Sequence, residues 1–137
     1  MRDILFHGKR IDDGEWLYGS LISLDKRIAE IFYMTGSSKK GIATVCIYVN
    51  PETVGQFTGL CDKNGTRIFE GDIVKINHPD DLTGDFTNAM GCVFYDINEG
   101  CFYHRNNNER PPKRMWEHVE VIGNIHDNPE LLEAAHG

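Results

Sequence analysis

Four side chains of the types that bind zinc lie in the second half of the chain: Cys92, Cys101, His104 and His118. Structural zinc sites usually take their ligands in close pairs, two to four residues apart. Only Cys101 and His104 are that close, and on a strand a separation of three residues directs two side chains to opposite faces. The spacing therefore predicts no metal site, and we expect no cofactor.

Other chemistry-bearing residues are equally scattered. The acidic residues Asp80, Asp81 and Asp85 lack the alternating oxygen-ligand spacing of a calcium loop and are typical of a solvated loop. The six histidines show no spacing that pairs one with a nucleophile. Because GxSxG, GxxxxGK[ST] and GxGxxG are all missing from the sequence, we assign no catalytic residue and expect a protein that is not an enzyme.

One region, from residue 102 to residue 116, combines aromatic and basic side chains. Small barrels bind single-stranded nucleic acid with such a combination, through stacking and phosphate contacts. The candidate binding residues are Arg105, Arg110, Lys113, Arg114 and Trp116. The net charge of −7 argues against broad phosphate binding, which needs a basic face. A polar loop flanked by core aromatics is therefore the other interpretation, and both stay open.

The elements that would position these residues belong to an ordinary globular chain. Its 137 residues, 40% apolar and 26% charged, suffice for one domain spanning residues 1–137. No apolar run approaches the roughly 20 residues that span a bilayer, and the charged start MRDILFHGKR does not resemble a secretory signal. We therefore expect a cytoplasmic protein with no membrane partner, whose four cysteines are buried thiols.

Local structure is clearest from Gln56 to Ile76. Asn64-Gly65 favours a tight turn, and Gly71-Asp72 opens a second apolar run. The predicted order is turn, short strand, turn, strand.

The sequence of the N-terminal part predicts mainly β-strands. Residues 4 to 22 predict a hairpin that turns at Asp13-Gly14, and its returning arm has apolar side chains on both faces, which is typical of a largely buried strand. Further along, we predict strands at Ile28 to Met34 and Ile42 to Val49, a polar loop at Thr35 to Gly41, and one helical turn at Pro51 to Val54 capped by Asn50. A helix over residues 25 to 34 remains an alternative.

The C-terminal part predicts two long loops, one hairpin, one strand and one helix. These are a loop at Asn77 to Gly91, a hairpin of Gly91 to Ile97 with Cys101 to Arg105, a loop at Asn106 to Arg114, a strand at Val119 to Ile125, and a short helix capped by Asn128.

The predicted fold is mainly β: a partly open or pseudo-symmetric small barrel, with a short C-terminal helix. The segments Arg10 to Trp16 and Arg67 to Ile73 share the pattern Arg-Ile-x-acid-Gly-acid-apolar. Two related β-units or a chance reuse of turn chemistry would each explain the repeat. Many strands carry apolar residues on both faces, which leaves more apolar surface than a small barrel covers and favours self-association.

Three separated segments resemble the YopX family of phage and prophage proteins: ILFHGKRIDDGEWLYGSLI, ETVGQFTGLCDKNGTRIFEGDIVKI and VIGNIHDNPELL. The resemblance implies a phage or prophage origin in a bacterium, a β-rich fold and a family whose biochemical role is uncharacterised. It supplies no catalytic residue. We therefore expect a non-catalytic accessory protein that contacts itself and a phage or host protein, with nucleic-acid binding as the alternative function and an enzyme of unknown class as the third.

Overall fold

The computed structural model describes residues 3–25, 27–37, 39, 41–79, 86–105, 113–114 and 119–134. The chain divides into two compact units, Met1–Phe57 and Thr58–Gly137. The prediction of a single domain spanning residues 1–137 stays a prediction.

The first unit is a twisted antiparallel sheet. Its elements are β1 (Phe6–Lys9), β2 (Trp16–Asp25), β3 (Ile28–Ser37), β4 (Gly41–Val49), a 3-10 turn (Pro51–Thr53) and the start of β5 (Gly55–Cys61). The strands pair in the order β4-β3-β2-β1-β5. Ala29, Ile31 and Val49 form the buried core, and Leu17 and Leu21 of β2 pack against it. One face of the sheet therefore supplies the core of this unit.

The structure confirms most of the predicted elements of this unit. The described residues between 25 and 34 are not helix: Asp25 and residues 28–34 are strand, and Arg27 lies in a turn. The first hairpin turns as predicted, with β2 continuing to Asp25. Asn50 accepts a hydrogen bond from the Glu52 N–H at 3.1 Å and so caps the 3-10 turn. The predicted loop at Thr35 to Gly41 is wrong at its ends, because backbone pairing of Thr35, Gly36 and Ser37 with β4 extends the ladder into the polar sequence.

The second unit holds the end of β5, six further strands and one helix. These are β6 (Arg67–Phe69), β7 (Asp72–Pro79), β8 (Phe86–Asp96), β9 (Cys101–Arg105), β10 (Lys113–Arg114), β11 (Val119–Asn124) and α1 (Glu130–Ala134). Five of the strands form an antiparallel sheet in the order β10-β9-β8-β7-β11. Ile68, Val74, Val93 and Val119 form its core.

The predicted turn–strand–turn–strand order of the central stretch is confirmed, and a buried carboxylate fixes its first turn. Asp62 accepts hydrogen bonds from the backbone N–H groups of Asn64 and Thr66, both at 2.9 Å. Its other oxygen accepts from the Val121 N–H of β11 at 3.0 Å. One side chain therefore joins a local turn to a strand 59 residues further along the chain.

Three predictions for this unit are corrected. The segment Asn77 to Gly91 is not one long loop. Its two ends belong to β7 and β8, because the backbone pairing of these strands extends as far as Pro79 and Phe86. Lys113 and Arg114 are not loop but a two-residue edge strand, which suits the prolines that precede them. The Asn128 side chain turns back to accept from the Asn124 N–H at 3.3 Å, so the Asn128 backbone carbonyl, not the side chain, receives the Leu131 N–H.

The glycine of the repeated pattern has a left-handed conformation in both segments, but the turn around it and its environment differ. Gly14 and Gly71 have φ of 74° and 86°, a left-handed conformation that glycine adopts without strain. However, Ile11 is 66% exposed whereas Ile68 is 1% exposed. The shared sequence therefore encodes a turn into a strand and not an equivalent place in a core.

The mainly β fold is confirmed. The described strands form two antiparallel sheets with one short helix, and they do not close into a barrel. The described part of the chain has no helix with the length and apolar character that crossing a bilayer requires.

Candidate interaction surface

The residues considered for metal binding are not brought together in the part of the chain that is described. His104 is buried on β9, and Cys92 on β8 lies opposite Arg105 rather than opposite a second candidate ligand. Among described residues there is no cluster of three or more histidine, cysteine or acidic side chains with metal-binding geometry. His118, Asp80, Asp81 and Asp85 lie outside the described residues.

The cysteines do not behave as predicted. All four are free thiols, but Cys46 and Cys61 are exposed and the other two are half-buried, so the prediction of buried small hydrophobes is wrong. Burial, together with the nearby Asp72 carboxylate, raises the pKa of the Cys92 thiol to about 11. Since the thiolate is the reactive form, Cys92 is poorly suited to act as a nucleophile.

The basic–aromatic region divides between core and surface. Tyr103 is buried and Phe102 packs against the core of the second unit, so neither ring presents a free stacking face. Arg105 is exposed and its guanidinium lies 5.1 Å from the centre of the Phe94 ring. Lys113 and Arg114 pair with His104 and Tyr103 across β9. Arg110 and Trp116 lie outside the described residues.

A different surface stands out in the first unit, on the sheet face opposite its core. Strand side chains alternate between faces, so the even-numbered residues of β2, β3 and β4 point away from the core formed by the odd-numbered ones. Six of these even-numbered side chains are large, apolar and between 37% and 64% exposed: Tyr18, Ile22, Ile28, Met34, Ile42 and Tyr48. We call this set the apolar face.

The apolar face spans three neighbouring strands, and two polar residues lie among its apolar ones. Ile22 of β2 lies opposite Glu30 of β3, which lies opposite Tyr48 of β4. In the same way Met34 lies opposite Thr44, next to Ile42 and the exposed Cys46. Single exposed apolar residues are common, but several large ones grouped on one face of a sheet are typical of an interaction site.

A polar turn borders the apolar face at the end of β4. Arg10 donates two hydrogen bonds to the Asp12 carboxylate, at 2.8 and 2.7 Å, and lies 3.4 Å from Asp13. The bond from Arg10 lowers the pKa of Asp12 to about 2, so the carboxylate is charged throughout the physiological range. This pair fixes the shape of the turn beside Tyr48.

Between this turn and β4 lies an open cleft of about 360 Å³. Its walls are Ile11 and Asp12 on one side and Cys46, Ile47 and Tyr48 on the other. Apolar groups and backbone therefore dominate a cleft that has room for a side chain from another molecule.

Sequence reasoning predicted uncovered apolar surface but did not locate it, because it could not decide which side of each strand is covered. The two-faced apolar pattern of β2 predicted a largely buried strand, yet Tyr18, Ser20 and Ile22 are exposed. The useful signal was the pattern itself, since apolar residues on a solvent-facing side need another explanation than the core.

Comparison with known proteins places the chain in a wider group. A family model described as YopX protein matches residues 5–133. The crystal structure of protein EF1440 from Enterococcus faecalis has 25% sequence identity and a TM-score of 0.58, and the match covers 96% of this chain and 99% of that one. No curated protein matches the chain.

Proposed function

The chain belongs to the YopX protein family, and from that premise we propose that it is a non-catalytic interaction protein that works through protein contacts. The proposed setting is the cytoplasm of a bacterium that carries a phage or prophage. The resemblance of its three sequence segments to phage and prophage proteins supports that setting.

The observation that carries the proposal is the apolar face. Its six large side chains are held by a rigid antiparallel ladder and adjoin an apolar cleft. Ile22, Glu30 and Tyr48 lie opposite one another on β2, β3 and β4, and Met34 lies opposite Thr44. Glu30 is the one charged side chain among these five residues. Such a surface gains free energy when another apolar surface covers it. We therefore propose that the chain self-associates and that a phage or host protein is its further partner.

Replacing Ile42 by glutamate is expected to weaken self-association about 10–100-fold, because burying an isoleucine contributes about 1.5–3 kcal/mol and a buried carboxylate adds a further cost. Light scattering and sedimentation over a concentration series measure the effect. The matched control is Thr35→Glu, which adds the same charge at an exposed position of the same hairpin but on the opposite face. A wild-type chain that stays monomeric at millimolar concentration contradicts the proposed self-association.

Nucleic-acid binding is the second candidate function. The observation in its favour is that β9 and β10 bring Arg105, Lys113 and Arg114 to one edge of the second sheet. Against it stand the buried aromatic rings and the net charge of −7. We keep it as the alternative, with Arg110 and Trp116 as its other proposed contacts.

Fluorescence anisotropy of a labelled single strand separates the two functions. Under the main proposal we expect no binding at 50 mM salt and high protein concentration. If the alternative holds, binding appears, weakens with salt, and falls at least several-fold in an Arg105→Ala, Lys113→Ala, Arg114→Ala variant. The control for lost positive charge is Arg67→Ala, an exposed arginine at the start of β6.

A further inference from the structure

We propose that two copies of the chain pair antiparallel along β4, with the two-fold axis at Thr44, so that the sheets of their first units continue into each other. The inference rests on the proposed self-association and names its partner, a second copy, and its geometry. It is carried by the backbone of β4, by the cleft beside it and by the charges at its two ends.

The backbone of β4 is available for pairing on one side. Within the first unit β4 is the last strand of its sheet, and β3 is its strand neighbour. At its end the Tyr48 carbonyl accepts from the Ile11 N–H, and the Asn50 N–H donates to the Lys9 carbonyl. These bonds run away from β3, toward the end of β1, so the even-numbered residues of β4 direct their backbone groups outward.

It follows that Ile42, Thr44 and Cys46 present N–H and C=O groups along an edge with which no described strand pairs. Antiparallel strands form their hydrogen-bonded pairs at every second residue. A two-fold axis at Thr44 places Thr44 opposite its own copy and Ile42 opposite Cys46. All three even-numbered positions then face a matching even-numbered position.

The sequence of this edge lacks the usual protection against strand addition. Edge strands of monomeric proteins carry charges, prolines or bulges, or are very short. β4 reads GIATVCIYV, nine residues without a charge or a proline, and its pairing with β3 is regular over its whole length. From Ile42 to Cys46 the outward backbone groups meet no described strand, and an unprotected edge of this kind is typical of a strand that is paired in the functional protein.

The side chains of β4 are complementary to themselves. Ile42 is 61% exposed at one end of the free edge. Four residues further along, the same edge adjoins the cleft lined by Ile11, Cys46 and Tyr48. Antiparallel pairing about Thr44 brings Ile42 of each copy beside Cys46 of the other, where the cleft can receive it. A projection and a recess related in this way suit an isologous contact.

The charges at the two ends of β4 are also complementary. The exposed Lys39 precedes the strand, and the exposed acidic residues Asp12, Asp13 and Glu52 lie near its other end. Arg10 neutralises part of this acidic group, and a negative excess remains. Antiparallel pairing sets the basic end of one copy against the acidic end of the other, whereas parallel pairing would set like charges together.

Charge complementation at Thr44 tests the geometry directly. Thr44→Lys places two lysines opposite each other on the axis, and Thr44→Glu places two glutamates there. Each variant alone is expected to raise the dimer dissociation constant about 100-fold, because like charges that face each other across an interface are strongly unfavourable. An equimolar mixture is expected to restore dimers, each with one copy of either variant, measured by light scattering and native mass spectrometry.

Two further variants separate this inference from the proposed function. Thr44→Pro removes an outward N–H and leaves the pairing with β3 intact, so it is expected to give a folded monomer by circular dichroism and light scattering. Met34 lies on β3, in the part of the apolar face that pairing along β4 leaves uncovered for a further partner, so Met34→Glu is expected to leave the dimer intact. If Met34→Glu dissociates the dimer and the Thr44 variants do not, the edge geometry is wrong and the apolar face is covered directly. A monomeric wild type overturns both proposals.

Discussion

Replacing Asp62 by alanine is expected to lower the free energy of unfolding by about 5 kcal/mol. Hydrogen bonds to a charged group contribute about 1.5–3 kcal/mol each, and this carboxylate accepts three, from Asn64, Thr66 and Val121. Alanine would leave the three N–H groups without their acceptor and would loosen the attachment of β11 to the turn. Urea denaturation at pH 7, followed by tryptophan fluorescence and circular dichroism, measures the change.

The pH dependence of the same carboxylate gives a second readout. Burial raises the pKa of Asp62, but the three N–H donors outweigh it and hold the pKa below its ordinary value of 3.8. The folded state therefore binds this proton less tightly than the unfolded state. Its stabilising contribution is complete above pH 3.8 and is lost as the pH falls below that value.

Asp12→Ala is the matched control for Asp62→Ala. Asp12 is also a turn aspartate with hydrogen-bonded oxygens, but it is exposed and its partner Arg10 lies at the surface. Exposed ion pairs contribute little to stability, so we expect almost no change in the urea midpoint. Equal effects of the two substitutions would show that Asp62 does not join the turn to β11.

In this chain, features that depend on residues close together in the sequence were predicted correctly, whereas features that depend on distant residues were missed. Turns were predicted well because the conformation of a glycine such as Gly65 or Gly100 is fixed within four residues. The ends of β7 and β8 were missed because pairing of Pro79 with Phe86 depends on a ladder that begins at Ile73. Polar residues can occupy such a ladder, since its backbone bonds do not depend on side-chain type.

The candidate surface was harder to predict than the fold. Alternation along β4 shows that Ile42 and Tyr48 share a face, but only the packing of Ala29, Ile31 and Val49 decides which face is core. Likewise, the contact of Asp62 with Val121 spans 59 residues and has no local signal. Tertiary packing therefore determines where the apolar face lies, whereas the sequence determines that one exists.

The opposite pH dependence is expected from Asp72, and Asp72→Asn should remove it. Burial raises the pKa of this carboxyl from 3.8 to about 7, although the Phe69 N–H donates to it at 2.8 Å. Because the folded state binds the proton more tightly than the unfolded state, the free energy of unfolding falls as the pH rises from about 4 to about 7. The full difference is about 4 kcal/mol, since each pKa unit corresponds to about 1.4 kcal/mol.

Asparagine has the same shape, is never charged, and keeps an oxygen to accept from Phe69. We therefore expect Asp72→Asn to be more stable than the wild type at pH 8 by about 3–4 kcal/mol and nearly equal to it at pH 4. Urea unfolding at a series of pH values measures both. Glu99→Gln, which removes one negative charge from an exposed turn, controls for the change in net charge. An Asp72→Asn variant that is less stable than the wild type at pH 8 would show that the charged carboxylate itself holds the turn into β7.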